Sequence, residues 1–262
     1  MTIKIQNLSL SIGKSRLLDD VSLSVAKGER VAVVGANGAG KTTLLKCLLG
    51  LIQPDDGVIE IDGVPSRRYS RQLLARQLAY VPQLLEASVP FTVFDFVMMG
   101  RYAHEGGWSL RDDEGVEIAR DALRRIEMEH FSQRTMSTLS GGERQKICIA
   151  AALAQQAPIL VLDEPSAHLD PRQREEVHHI LSEIGQEQGM TILAVTHDLN
   201  WAAMDYDRMI GMAGGRVVYD GSTESFMTAE NLQAVFGVEF VLYPHPETGK
   251  PMVISSVRKG AV

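Results

Sequence analysis

Nine residues in a row, Gly35-Ala36-Asn37-Gly38-Ala39-Gly40-Lys41-Thr42-Thr43, have the types and spacing of a phosphate-binding loop. Glycines let a backbone curl until successive N–H groups face inward. A helix starting at the lysine adds the partial positive charge of its N-terminus. Lys41 is then placed to reach the β- and γ-phosphates of a nucleotide, and the Thr42 hydroxyl to hold Mg²⁺. The context agrees, because Val31–Val34 reads as an apolar strand before the loop and Leu44–Leu49 as a helix after it. The stretch predicts a nucleoside triphosphate site.

Two further stretches carry chemistry. Ile159-Leu160-Val161-Leu162 is an apolar strand that ends in Asp163-Glu164. Asp163 stands where a Mg²⁺-ordering acid belongs, and Glu164, one residue on, can polarise an attacking water as general base. In Leu139-Ser140-Gly141-Gly142-Glu143-Arg144-Gln145, Ser140 and Glu143 have capping-box spacing at a helix start. A cap alone needs no pair of glycines. Bare amides beside a serine hydroxyl make a second anion site, useful mainly if it faces another subunit's nucleotide.

The elements that position these residues follow from periodicity. Residues 2–12 and 17–26 alternate apolar and polar as half-buried strands, with a turn at Gly13-Lys14-Ser15. Val58–Ile61 and Leu78–Val81 are short strands, the second stopping at Pro82-Gln83. Helical patterns follow over Thr92–Met99, Arg111–Met128 and Ser140–Gln156. The continuously apolar strands Ile159–Leu162 and Thr191–Val195 then flank a helix at Pro171–Gln188, as in a sheet covered on both faces. The expected fold is α/β: a mixed-sheet nucleotide-binding core with an N-terminal antiparallel β subdomain and an α-helical subdomain inserted at about 84–157. Residues 1–238 are expected to form the nucleotide-binding domain and 239–262 a short C-terminal extension. That extension contains one hairpin candidate, Val238–Tyr243 against Pro251–Ile254.

Composition bounds the rest. The 262 residues are 45% apolar and 23% charged, with a net charge of −7, so no basic field argues for nucleic acid. Cys47 and Cys148 are expected as buried, reduced thiols. There is no signal-peptide pattern and no run of about 18 apolar residues, so any membrane role is borrowed from a partner. His104, His130, His168, His178, His179 and His245 get no role; His178-His179 are expected on a solvated helix face.

With phosphate loop, Leu139–Gln145 and Asp163-Glu164 in this order, the chain resembles the ATPase subunits of ABC transporters over residues of about 3–237. That resemblance implies ATP and Mg²⁺ as ligands and a head-to-tail homodimer. Each ATP lies between one phosphate loop and the opposite signature, Ser140-Gly141-Gly142. It also implies that Gln83 contacts Mg²⁺ and the attacking water and senses the membrane partner. Ser166–Asp170 crosses the dimer interface, and His197 is the switch histidine at the γ-phosphate. The family's adenine-stacking aromatic is replaced by Ile12, which implies weaker base stacking.

Within the family, Val89–Val93, Met98–His104 and the tail resemble subunits of metal-chelate importers for iron–siderophore, haem or cobalamin. Zinc or manganese importers remain an alternative, as do non-transport ABC ATPases acting on DNA or ribosomes. The implied partners are integral membrane permease subunits and, indirectly, a substrate-binding protein. The implied location is peripheral, on the cytoplasmic face of the cell membrane. Arg101 and Tyr102 are expected to face the permease. Val93, Phe94, Phe96, Val97 and Met98 either wall its docking groove or fill the core of the insert.

Overall fold

The computed structural model describes residues 2–83, 90–104 and 113–254. In chain order the first elements are β1 (Ile3–Ile12), β2 (Ser15–Val25), β3 (Arg30–Gly35), α1 (Lys41–Leu48) and β4 (Asp56–Ile61). Next come β5 (Val64–Pro65), α2 (Arg71–Ala75), β6 (Leu78–Val81), α3 (Val93–Met98), α4 (Asp113–Arg125), α5 (Gly141–Ala154), β7 (Ile159–Asp163) and α6 (Pro171–Gln188). The last are β8 (Thr191–Val195), α7 (Leu199–Asp205), β9 (Arg208–Ala213), β10 (Arg216–Ser222), α8 (Thr223–Phe226), α9 (Ala229–Phe236), β11 (Val241–Pro244) and β12 (Pro251–Ile254). They form two compact units, Met1–Gly63 with Leu193–Val262, and Val64–Ile192. Among the described residues no helix is long and apolar enough to cross a membrane.

In the first unit, β1 pairs antiparallel with both β2 and β4. Its buried residues are Ile3 and Ile5, then Leu8 and Leu10. The phase of the alternation changes where the register shifts between Ile5 and Leu8, at Asn7, whose φ is +51°. One extra residue in a strand moves every later side chain to the other face, so a bulge is what lets 3, 5, 8 and 10 all point inward. A second set of strands runs β10-β9-β3-β8. β9 is parallel to β3, whose Val31–Val34 are fully buried. Helices α1, α7 and α9 pack on β3. The β9–β10 pair is not among the strands the patterning above singles out, although Gly214-Gly215 between apolar runs is a two-residue hairpin signal. The tail hairpin forms as expected, β11 pairing with β12.

In the second unit, β6 and β7 pair in parallel, with Val81 opposite Leu162. Helices α3, α4 and α5 pack on one another. α4 buries Gly115, Ala119, Ala122 and Leu123, one stripe at helical spacing. The expected helix start at Arg111 lies outside the described residues, as does Val89.

Candidate nucleotide site

β3 delivers the chain into the phosphate loop, and two close approaches require glycine there. At Gly35 a Cβ would stand 2.3 Å from the Met212 carbonyl oxygen. At Gly40, with φ +100°, it would stand 2.6 Å from that of Leu17. Both obstacles are backbone, so neither can swing aside. The Ala39 N–H donates to the Ala36 carbonyl at 3.1 Å and the Gly215 N–H to Ala39 at 3.2 Å, holding the curl. Lys41 opens α1 with its ammonium folded over the loop, donating to the Gly35 carbonyl at 2.8 Å and to Ala36 at 3.0 Å. Thr42 is exposed on the first turn. The loop therefore brings a cation, a hydroxyl and a helix N-terminus together on one short stretch, groups that suit a polyphosphate. In the same unit the Thr196 N–H donates to the Val33 carbonyl at 3.2 Å, so exposed His197 follows the end of β8 near the loop's own strand.

The second unit holds the acids. β7 is wholly buried and ends in Asp163, itself buried. Glu164 has φ +47°, a left-handed conformation that costs a side-chain-bearing residue on the order of 1–2 kcal/mol. The Gln83 Nε2 donates to Glu164 Oε2 at 2.9 Å. The Tyr80 hydroxyl lies 3.4 Å from Asp163 Oδ2. Burial first, and the Asp163 charge second, push the Tyr80 phenol up to about 12. Asp170 caps α6, its Oδ1 accepting from the Gln173 N–H at 2.9 Å, with Pro171 at the first helical position.

The signature opens α5 with the capping box complete. Ser140 Oγ accepts from the Glu143 N–H at 3.2 Å, and Glu143 Oε2 accepts from the Ser140 N–H at 2.7 Å. That backbone N–H, aided by the hydroxyl, holds the Glu143 carboxyl below its ordinary value against the opposing cost of burial. Gly141 has open space above it. Gly142 instead packs against α6, where a Cβ would meet Gln173 at 2.5 Å, and Lys146 pairs with Glu176 at 2.7 Å. The side chain of Gln145 donates from Nε2 to the Pro82 carbonyl at 3.2 Å. Neither this contact nor Tyr80 was singled out by the sequence reading; the only signal was that both residues sit within or beside recognisable motifs.

The far end of α5 corrects one expectation. Arg101 does not face outward; it is 7% exposed, whereas Tyr102 is 71% exposed. The Arg101 Nη1 donates at 2.8 Å to both the Ala154 carbonyl and Gln156 Oε1, at the C-terminus of α5. His104 Nε2 contacts the Gln155 carbonyl at 2.6 Å, and a Cβ on Gly100 would come 2.2 Å from the Ala151 carbonyl oxygen. A cation there meets the orphan carbonyls and the negative end of the helix, which is why the segment turns inward. Of the apolar series, Val93, Val97 and Met98 are core and Phe94 and Phe96 are half-buried, while Phe91 and Met99 on either side of it are exposed. His178 is also buried, on the stripe with Leu181 and Ile184, while exposed His179 meets Glu183 at 3.1 Å. Both cysteines are buried and reduced, and burial pushes Cys47 up to about 11 and Cys148 to about 12.

A cavity of about 570 Å³ in the first unit, lined in part by Asn7, Asp19, Asp20, Asp56 and Arg216, contains none of these residues. Both of its arginines, Arg16 and Arg216, meet Asp19, and Asp20 accepts from the Asn7 side chain.

Comparison with known proteins bears on this arrangement. The profile of the ABC transporter family matches residues 18–167. The chain is 38% identical to the hemin import ATP-binding protein HmuV of Pseudomonas fluorescens, over 97% of this chain and 99% of that one. It is 34% identical to the iron(3+)-hydroxamate import ATP-binding protein FhuC of Bacillus subtilis, over 97% and 94%. Among solved structures, a metal-chelate type ABC transporter in an inward-facing conformation superposes with a TM-score of 0.83 at 28% identity, covering 97% of this chain and 95% of that one. A dimeric ATP-binding cassette in a post-hydrolysis state, bound to ADP and phosphate, superposes at 0.74 with 27% identity, over 84% and 98%.

Proposed function

Because this chain belongs to the ABC transporter family, we propose that it powers uptake of a metal chelate, such as an iron–siderophore, haem or cobalamin, through a separate permease. The observation that carries the reading is that one chain holds two glycine-bearing helix starts of the kind that suit anions. One is the curled loop of Gly35–Lys41. The other is the Ser140 cap of α5. A half-site of each kind on every subunit gives two whole ATP sites when two copies close head to tail, and the dimeric relative supports this. The ATPase domain spans 1–238, with the helical insert at about 84–157 meeting the permease and 239–262 as an extension. The protein sits at the cytoplasmic face of the membrane, and a substrate-binding protein supplies the chelate from the other side.

In this reading Lys41 and the loop amides hold the phosphates, and Ser140, Gly141 and Gly142 of the partner copy close over the γ-phosphate. Thr42, Gln83 and Asp163 offer oxygen donors only, the set Mg²⁺ prefers; bound there, it neutralises phosphate charge. Glu164 takes the proton of the attacking water. Gln83 spends its amide nitrogen on Glu164 and keeps its oxygen for the metal side. His197 steadies the γ-phosphate, and Asp170 with its loop lies at the interface.

The test uses two variants. Glu164→Gln should bind ATP, sediment as a stable dimer with Mg·ATP, and show negligible turnover. Lys41→Ala should lose both binding and dimerisation. A Glu164→Gln protein that stays monomeric at saturating Mg·ATP with its permease present, or that hydrolyses at the wild-type rate, overturns the reading.

A further inference from the structure

Gln145 stands in the second turn of the signature helix, 5% exposed, and its side chain leaves the helix to reach a strand end 63 residues earlier in the chain. The acceptor is the carbonyl of Pro82, at 3.2 Å. That oxygen belongs to the Pro82–Gln83 peptide, and a peptide is a rigid plane that also contains the nitrogen and Cα of Gln83. The proline ring fixes the φ on the other side of the same group. Before it, Val81 is locked in register opposite Leu162, the residue preceding Asp163-Glu164. The Gln83 amide then spans to Glu164 at 2.9 Å.

We propose that Gln145 is a positioning residue for Glu164, acting from the signature helix through the Pro82–Gln83 peptide and the Gln83 side chain. One hydrogen bond at Pro82 orients the plane from which Gln83 projects. A displacement of α5 is therefore delivered to the partner of the base rather than absorbed in a loop. The inference rests on Glu164 being the base. It adds a role for a signature residue toward the acid of its own subunit, separate from the contact Ser140 makes with the nucleotide held by the other.

A double-mutant cycle on the full-length chain tests it, with Gln145→Met, which keeps the side-chain length without a donor, and Gln83→Ala. Each Gln145 change should lower kcat for ATP roughly two- to tenfold, the range for one lost hydrogen bond, with KM nearly unchanged, and Gln83→Ala, which also removes an oxygen from the Mg²⁺ side, should cost at least as much. The double variant should be no slower than Gln83→Ala, because Gln145 acts only through Gln83. Gln145→Asn, with the amide one methylene short, serves as a second variant and should match Gln145→Met. A merely structural role would instead lower the melting temperature and multiply with Gln83→Ala. Multiplicative effects, or an unchanged kcat in both Gln145 variants, overturn the inference alone if Glu164→Gln is inactive. Wild-type turnover in Glu164→Gln overturns the inference together with the assignment of the base.

Discussion

Replacing Arg101 by Met tests the clasp at the C-terminus of α5. The side chain is buried, and Nη1 makes two contacts of 2.8 Å, to the Ala154 carbonyl and to Gln156 Oε1. Hydrogen bonds from a charged donor are worth about 1.5–3 kcal/mol each, and a cation at a helix C-terminus adds up to about 2 kcal/mol when partly buried. Against this stands the cost of burying a guanidinium, several kcal/mol. Its Nε is buried with no hydrogen-bond partner among the described residues, a further penalty of about 1–3 kcal/mol. Met keeps the apolar stem and relieves the buried charge and the Nε, but it strands the two acceptors. The difference predicts a net loss of about 1–3 kcal/mol, and hence a melting temperature about 3–10 °C lower for a chain of this size. Calorimetry or urea denaturation reads it directly, with Tyr102→Ala as the control; that residue is exposed, and the melting temperature should not move by more than about 1 °C. An Arg101→Met protein as stable as the wild type would refute the clasp and show that desolvation cancels both contacts.

Three other outcomes follow from single residues. Ile12 is 59% exposed where the family resemblance implies base stacking, so Ile12→Tyr should tighten ATP binding by about 1 kcal/mol, roughly fivefold, as read by titration calorimetry. The side chain of Asn200 on α7 pairs with both backbone groups of Val253, accepting its N–H at 2.7 Å and donating to its carbonyl at 3.1 Å. Asn200→Ala should therefore raise amide exchange and protease cutting across 241–254 while leaving the main unfolding transition nearly in place. The folded-state value of Glu143 lies below the ordinary 4.5, so its stabilising contribution is present above that pH and fades as pH falls through the lower folded value. The stability gap between wild type and Glu143→Gln should accordingly be constant from pH 7 to 5 and close below 4.5.

What could be read from the sequence was local. A capping box is written within four residues, and Ser140 and Glu143 make both of its bonds. The glycine loop is likewise legible, because left-handed φ and close backbone approach are demands that few residues meet. Even the bulge in β1 is visible in the spacing 3, 5, 8, 10 once its cause is known. The positions misread are those where a charged or polar residue is buried by partners far along the chain. Arg101 looks like a surface cation until Ala154 and Gln156 arrive beside it. His178 is decided by its helix stripe rather than by its charged neighbours. Gln145 meets a carbonyl that no periodicity would have named.

These contacts converge on one helix. α5 has 14 residues and so spans about 21 Å. Ser140 and its box lie at one end, Gln145 grips the strand end of Gln83 one turn further in, and Arg101 with His104 closes the other end. Apart from half-buried Ala151, the helix is buried from Ile147 to Ala154, and close packing on that length leaves it little freedom to bend. Tyr102 and Met99 are exposed beside the clasp, so a partner pressing there acts on the C-terminal end of the same helix that carries the signature. Gln145 sends part of any displacement of that helix to the hydrogen bond that holds Glu164. An exposed surface and the proposed base Glu164 in the same unit are thereby tied through one element, with no change of secondary structure required. Cutting the tie at Gln145 should uncouple turnover from the clasp, so that Tyr102→Ala alters the permease-dependent stimulation of ATP hydrolysis in the wild type but not in Gln145→Met.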